Sequence, residues 1–344
     1  MKYRLLGNSG LRVAEISLGT MTFGEDWGWG SGKEEARKIY EAYRAAGGNF
    51  VDTANIYTNG TSETLVGEFI RDHRQEVVVA TKFTNSAPGN DPNSGGNHRK
   101  NMVQSVEASL RRLHTDYVDL YWLHIWDKMT PVEEVMRAFD DLVRQGKVLY
   151  IGVSDAPAWW IAQANTLAEL RGWTRFAGLQ IEYSLMERSV ERELIPMADA
   201  FQIGVVAWSP LAGGLLTGKY HAKAAEPGRY SSDMMKPFAR TGDRADRIVA
   251  ALQQVSRQAG RSPAQVALAW LRRREVPVIP IVGARKLSQL EDNLASLELD
   301  LTSEQLARLD QASAIDLGFP HDFYQIEMVR SLLYGGMRDK IIAA

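Results

Sequence analysis

Eight short apolar segments recur along the chain, each followed by a stretch of helical character, and this alternation constrains the fold most tightly. The segments end near residues 19, 52, 82, 124, 154, 180, 208 and 282, a spacing of about 30 except where loops intervene. Strands that alternate with helices pair in parallel, because the intervening helix carries the chain back across the sheet. Eight such units are what closure into a (β/α)8 TIM barrel requires, and 344 residues fit one such barrel domain spanning 1–344. An open doubly wound sheet is the alternative. It is weakened because no G-x-G-x-x-G turn links a strand to a helix, and Ala212-Gly213-Gly214 lies inside an irregular loop.

Taken in order, the chain opens with a hairpin, Tyr3–Leu6 and Leu11–Ala14 around the turn Asn8-Ser9-Gly10. Residues 1–14 thus precede the first buried strand, Glu15–Leu18. A helix is expected over Lys33–Ala46, stopped by Gly47-Gly48. Val103, Val106, Leu110 and Leu113 recur at helical spacing. Thr130-Pro131-Val132-Glu133 reads as a helix start, with Thr130 as cap and Pro131 in the first turn. Further helices are expected over Ala158–Arg171, Val190–Phe201, Asp243–Ala259, Ser262–Arg274 and Leu287–Leu297, with another after Thr302-Ser303-Glu304-Gln305. Residues 316–344 read as an irregular tail, and Ser209–Gly242 as a long irregular insertion.

Several function classes recede on composition. Lysine and arginine number 40 against 42 acidic residues, a net charge of −2, and no basic run suggests a nucleic-acid surface. The absence of cysteine removes disulfides, thiol catalysis and cysteine metal sites, which fits a reducing, cytoplasmic location. The amino terminus lacks the apolar stretch of a signal peptide, and no apolar run approaches membrane-spanning length. The six histidines show no metal-ligand spacing, so no metal is expected and a metal hydrolase is disfavoured.

Polar residues at three successive strand ends carry the chemistry. Asp52 ends the strand led by Phe50-Val51, Lys82 follows Val77–Thr81, and His124 follows Val118–Leu123. In a barrel the carboxyl ends of all strands open on one face, so these groups would converge, with Tyr57 five residues past its strand. A phenol of pKa about 10 is a poor acid at neutral pH, but a neighbouring ammonium favours its ionised form. A carboxylate beside that ammonium keeps it charged in a closed pocket. Tyr57, Lys82 and Asp52 form a consistent proton donor, with His124 to orient a carbonyl oxygen or assist the relay.

Longer motifs make the likeness specific. Gly48-Asn49-Phe50-Val51-Asp52-Thr53-Ala54 with Tyr57, Ala80-Thr81-Lys82, and Asp116–His124 come first. Gly146-Lys147-Val148, Ile151–Ser154, Gln180–Ser184, Trp208–Tyr220 and Pro280–Arg285 follow. Over nearly its whole length the chain resembles the aldo-keto reductase superfamily, and within it the bacterial and fungal aryl-alcohol dehydrogenase-like branch. The resemblance implies a single barrel that binds NADPH (or NADP+) extended, with Tyr57 as general acid and Asp52, Lys82 and His124 as partners.

The same resemblance implies the cofactor contacts. Ser154, Asp155 and Gln180 match the positions that hold the nicotinamide carboxamide, and Trp208 the aromatic that stacks on the ring. Family members usually carry Asn where this chain has Asp155, and a carboxylate lacks the amide donor. Gly19 and Thr20 belong to the implied cofactor set. Ser209, Leu211 and the Gly213–Lys219 loop would cover the pyrophosphate, while Gly283, Arg285, Gln289, Asp292 and Asn293 match the adenosine-phosphate end. A guanidinium at Arg285 suits a 2′-phosphate and favours NADP(H) over NAD(H). Trp27, Trp29 and Trp126, with Tyr57 and His124, would wall a substrate pocket, joined by tail aromatics such as Phe319, Phe323 and Tyr324.

The expected activity is reversible reduction of an aldehyde or ketone, hydride coming from the nicotinamide and the proton from Tyr57. The alternative is a cofactor-binding regulatory subunit on the same barrel with little turnover, as in the β-subunits of voltage-gated potassium channels. Turnover of NADPH with generic carbonyls separates the two. The partners expected are small carbonyl and alcohol molecules, with neither nucleic acid nor membrane.

Overall fold

Side chains on a strand alternate between its two faces, so each barrel strand must serve an interior and a helix-covered exterior. A computed structural model of the chain, which describes residues 1–87, 89–218 and 241–342, shows how this is met. The strands are β3 (Ser17–Gly19), β4 (Phe50–Asp52), β5 (Val78–Phe83) and β6 (Val118–Leu123), followed by β7 (Val148–Ser154), β8 (Phe176–Glu182), β9 (Gly204–Trp208) and β10 (Val278–Gly283). They pair in parallel in sequence order, and β10 closes the barrel against β3. The hairpin β1 (Tyr3–Leu5) and β2 (Arg12–Ala14) is antiparallel, as expected.

Two buried clusters follow from the alternation. Phe50, Val78, Ala80, Leu120, Trp122, Val206, Ile279 and Ile281 fill the interior with Leu6, Val13 and Ala14 from the amino-terminal segment. Their strand neighbours Val51, Val79, Tyr121, Leu123, Val205, Ala207 and Val282 pack outward with the helices. Trp122 is the bulkiest interior group and is fully buried. A Cβ on Gly152 would lie 2.3 Å from its ring, and one on Gly178 2.7 Å. Glycine on the two following strands thus makes room for the indole.

The helical layer comprises α1 (Lys33–Ala45), α2 (Thr61–Ile70), α3 (Arg99–Leu113), α4 (Val132–Arg144), α5 (Ala158–Arg171), α6 (Leu194–Ala200), α7 (Asp243–Ala259), α8 (Pro263–Arg272), α9 (Leu287–Leu294) and α10 (Ser303–Ser313). Ser262 caps α8 by accepting from the Gln265 amide. Thr302 and Gln305 form a reciprocal capping box at α10. Among the described residues, no helix is long and apolar enough to cross a membrane.

Three local expectations differ from the structure. The Asp127 carboxylate takes both the Thr130 amide (2.9 Å) and the Thr130 hydroxyl (2.6 Å). Thr130 therefore closes a turn before α4 instead of capping it, a competition open to short polar side chains. The helix expected over Val190–Phe201 is a 3-10 turn at Ser189–Glu191 followed by the separate α6. Pro196 explains the break, because its missing N–H is tolerated only in a first turn. The stretch after Asp316 contains α11 (His321–Gln325) and α12 (Glu327–Tyr334).

Gly152→Ala should test the interior packing. The added methyl has nowhere to go but into Trp122, so guanidinium unfolding should show a loss of about 1–3 kcal/mol. Gly10→Ala, whose glycine has no atom near the added Cβ and no left-handed backbone, is the open-space comparison.

Candidate active site

The inward alternation continues beyond the apolar layer and changes character at the carboxyl end. Two residues past Phe50 comes Asp52, two past Ala80 comes Lys82, two past Trp122 comes His124, and two past Gly178 comes Gln180. Asp52, Lys82, His124 and Gln180 therefore form the top layer of the barrel interior, and Tyr57 joins them from beyond the strand end. Lys82 is fully buried and its ammonium donates to a carboxylate oxygen of Asp52 and to the Thr53 carbonyl at 2.7 Å. Gln180 donates to the other Asp52 oxygen at 2.9 Å. Both charges of this ion pair lie out of water, yet each is met by hydrogen-bonding partners.

Tyr57 begins a 3-10 turn, Tyr57–Gly60, just beyond β4. The Lys82 ammonium lies 4.7 Å from its ring centroid. The rings of Tyr57 and His124 meet edge-on at 6.0 Å. Burial works against a charged Lys82, but the Asp52 carboxylate and the Tyr57 phenol outweigh it, so its pKa is raised and it remains an ammonium. His124 is driven the other way, down to about 3, by burial and then by the Lys82 charge. It is a neutral imidazole at physiological pH. The Asn85 side-chain nitrogen lies 3.2 Å from His124 Nδ1. With the amide so oriented, Nδ1 accepts and Nε2 carries the proton.

Where the resemblance puts the cofactor, Trp208 Nε1 donates to Asp155 Oδ1 at 3.1 Å, linking the ends of β7 and β9. Asp155 adopts the left-handed region at φ 43°, which Asp and Asn tolerate better than most residues. Surrounding protein raises its pKa to about 6 against the Trp208 hydrogen bond, with Glu182 adding to the rise and Lys82 opposing it. The carboxyl is nonetheless open to solvent at the barrel mouth, which moderates the effect. Ser154 Oγ is buried with no partner in hydrogen-bonding geometry. It lies near enough to Asp155 to favour the carboxylate, the weakest influence on that group.

Other expected contacts are distributed unevenly. Thr20 is fully buried, and its hydroxyl and amide both donate to the Asp52 carbonyl, at 3.0 and 2.9 Å. It supports Asp52 from behind and presents no accessible group. Gly19 lies beside it, paired with Asp52 across the strands. The Ser209 hydroxyl accepts the Gly213 amide at 3.2 Å, Leu211 packs partly into the core, and Lys219 lies outside the described residues. Gly283 leaves open space, since a Cβ there would come no closer than 3.7 Å to any neighbour. The Arg285 amide donates to Gln289 Oε1 at 2.9 Å. Asp292 accepts from Ser262 (2.9 Å) and Gln265 (2.7 Å), which pins the start of α8, and Asn293 is buried.

The aromatic residues divide. Trp27 contacts Tyr57 edge-on at 6.5 Å, and Trp29 lies tilted at 5.8 Å from Trp27. Trp126 is instead recorded against Trp159 (5.5 Å) and Trp160 (6.5 Å) of α5. Phe319 and Phe323 face each other at 6.0 Å and are exposed, as is Tyr324. Sequence reasoning missed Asn85, whose carbonyl also accepts from Asn55 at 2.9 Å, and the buried hydroxyls of Thr53 and Ser62, which bond each other, Ser62 also reaching Thr20. Their roles depend on contacts between loops, which no spacing along the chain records.

The residues present fit a nicotinamide dinucleotide. An unpartnered buried hydroxyl at Ser154, an indole fixed by Asp155 and an open Gly283 two residues before Arg285 supply a donor, a flat apolar surface and room for a phosphate. The Asp155–Trp208 link has a measurable consequence. Asp155 is ionised above about pH 6 and accepts the indole N–H hydrogen bond best in that form. The difference in tryptophan emission between the wild type and Asp155→Asn should titrate near that pH. A flat difference from pH 4.5 to 8 would rule the link out.

Comparison with known proteins points the same way. The sequence profile of the Aldo/keto reductase family matches residues 15–314. A putative aryl-alcohol dehydrogenase of Saccharomyces cerevisiae is 36% identical over 327 residues, 91% of this chain and 86% of the relative. A norsolorinic acid reductase of Emericella nidulans is 38% identical over 325 residues, covering 92% and 82%. An aldo-keto reductase of Aspergillus calidoustus is 35% identical over 357 residues, covering 99% and 88%. With the closed parallel barrel, the match across nearly the whole chain establishes that this protein belongs to the aldo/keto reductase family of oxidoreductases.

Proposed function

We propose that the protein reduces an aldehyde or ketone reversibly with NADPH, in one barrel domain, and that Tyr57 donates the proton. The observation that carries this reading is the buried Lys82–Asp52 pair beneath the Tyr57 ring, with neutral His124 at its edge. A bound NADPH supplies the hydride. Tyr57 holds the proton on its hydroxyl, and the Lys82 ammonium beside it stabilises the phenolate left after transfer. Asp52 keeps Lys82 charged through the cycle, and Gln180 and Thr20 keep Asp52 in place. His124 offers its Nε2–H to the carbonyl oxygen, raising the polarity of the bond to be reduced.

Ser154, Asp155 and Gln180 would hold the nicotinamide end, and Arg285 with Gly283 the adenosine 2′-phosphate. The aromatic pair Trp27 and Trp29 favours a ring-bearing substrate, a preference also suggested by the relatives named as aryl-alcohol dehydrogenases. A cysteine-free chain suits the reducing cytoplasm in which NADPH is plentiful.

Tyr57→Phe should lower the rate of aromatic aldehyde reduction by roughly 10²- to 10⁴-fold, the range for a lost general acid. NADPH binding, followed by tryptophan fluorescence, should be retained. Equal turnover by the variant would remove Tyr57 from its role, while NADPH binding without turnover in the wild type would support a regulatory subunit. Arg285→Ala should raise KM for NADPH roughly ten- to a hundredfold, the worth of one charge-assisted contact, and leave KM for NADH in place. An equal loss with both cofactors would overturn the 2′-phosphate assignment.

A further inference from the structure

Immediately after Tyr57, three successive residues take left-handed backbone conformations: Thr58 at φ 45°, Asn59 at φ 56° and Gly60 at φ 96°. Asparagine and glycine adopt this region readily, but a β-branched residue there is a genuine outlier. Such strain persists only where surrounding contacts overdetermine it. The contacts around Thr58 do so. It is fully buried, its hydroxyl donates to the Phe23 carbonyl at 2.7 Å, and the same oxygen accepts the Ser62 amide at 3.0 Å. One hydroxyl thereby joins the Tyr57 turn, the first turn of α2 and the loop that follows β3.

The loop on the far side carries Trp27, which packs edge-on against Tyr57. Gly24 follows Phe23, and a Cβ there would meet the Thr58 hydroxyl at 2.9 Å, so the two segments approach as closely as glycine permits. A second tie runs in parallel, from the Thr61 hydroxyl to Asp26 at 3.1 Å. On the opposite side of the turn, Gly60 lies against the Arg112 side chain, which pairs with buried Glu63 at 2.6 Å. Glu63 in turn accepts from the Thr81 hydroxyl, next to Lys82 in the chain. The turn is thus clamped between the Trp27 loop and the strand that carries Lys82.

We propose that Thr58 is a positioning residue whose hydroxyl latches the Tyr57 turn to the Trp27 loop, holding the phenol over Lys82 and the indole against the phenol. It touches no reacting atom and acts through Tyr57, so the inference rests on the proposed role of that residue. A small displacement of an acid is enough to matter, since misplacement by about 1 Å can cost 10²-fold in rate.

The test compares Thr58→Val, which keeps shape and branching but loses both hydrogen bonds, with Thr58→Ser, which keeps the hydroxyl. Each is assayed with NADPH and an aromatic aldehyde across pH, alongside NADPH binding and thermal unfolding. In Thr58→Val, kcat should fall roughly 10- to 100-fold with NADPH affinity preserved, and its alkaline limb should move as the phenol leaves the ammonium. Thr58→Ser should restore both rate and profile. Wild-type kcat in folded Thr58→Val, or an unshifted profile with loss matched to unfolded protein, would overturn the proposal. Should the valine variant not fold, Thr58→Ser carries the decision: wild-type kcat and profile support the latch, and loss of either overturns it. Tyr57→Phe is run alongside, and full activity there would overturn the assignment of Tyr57, a failure distinct from that of the latch.

Discussion

The site depends on one ion pair that should be costly. Lys82 has no exposed surface and Asp52 almost none, and two charges removed from water repay their desolvation only with good geometry and full hydrogen bonding. The fold meets that condition with two further groups from different places. Gln180 on β8 and Lys82 on β5 satisfy the Asp52 carboxylate, and the Thr53 carbonyl takes a second proton of Lys82. Thr20 and Ser62 fix the backbone that presents Asp52. Burial drives the neighbouring His124 imidazole neutral, and the Lys82 charge held there adds to that shift.

That arrangement is a consequence of strand alternation. An interior packed with Phe50, Ala80, Leu120 and Trp122 forces the next inward positions to be Asp52, Lys82 and His124, at the open end of the barrel. A shift of one residue in any of these strands would exchange the site residue for a helix-facing one such as Val51, Thr81 or Leu123. The bulk of Trp122, accommodated by glycine on β7 and β8, therefore anchors the register that aims the chemistry.

Much of this was legible in the chain itself. Strand ends expected at 52, 82 and 124 fall within one residue of those observed, because apolar runs bounded by polar residues report burial directly. The helix start at Thr302 is likewise a local device and was read from its cap. Local signals misled where a second local partner competed, as Asp127 does for Thr130, or where a proline inside an apolar pattern was passed over, as at Pro196.

The order of apolar and polar residues was sufficient for eight strands, their alternation and the polar layer at their ends, since each depends on neighbours two to four positions apart. It did not contain the partners of that layer. Asn85 against His124, Thr58 against Phe23, Thr20 beneath Asp52 and Asp155 against Trp208 join residues 32 to 53 positions apart where loops leave the barrel. Closure of the barrel brings those loops together, and only then does each hydroxyl, amide and carboxylate meet the group that orients it. Packing across the barrel mouth, rather than pattern along the chain, decided which residues line the candidate site and which hold them in place.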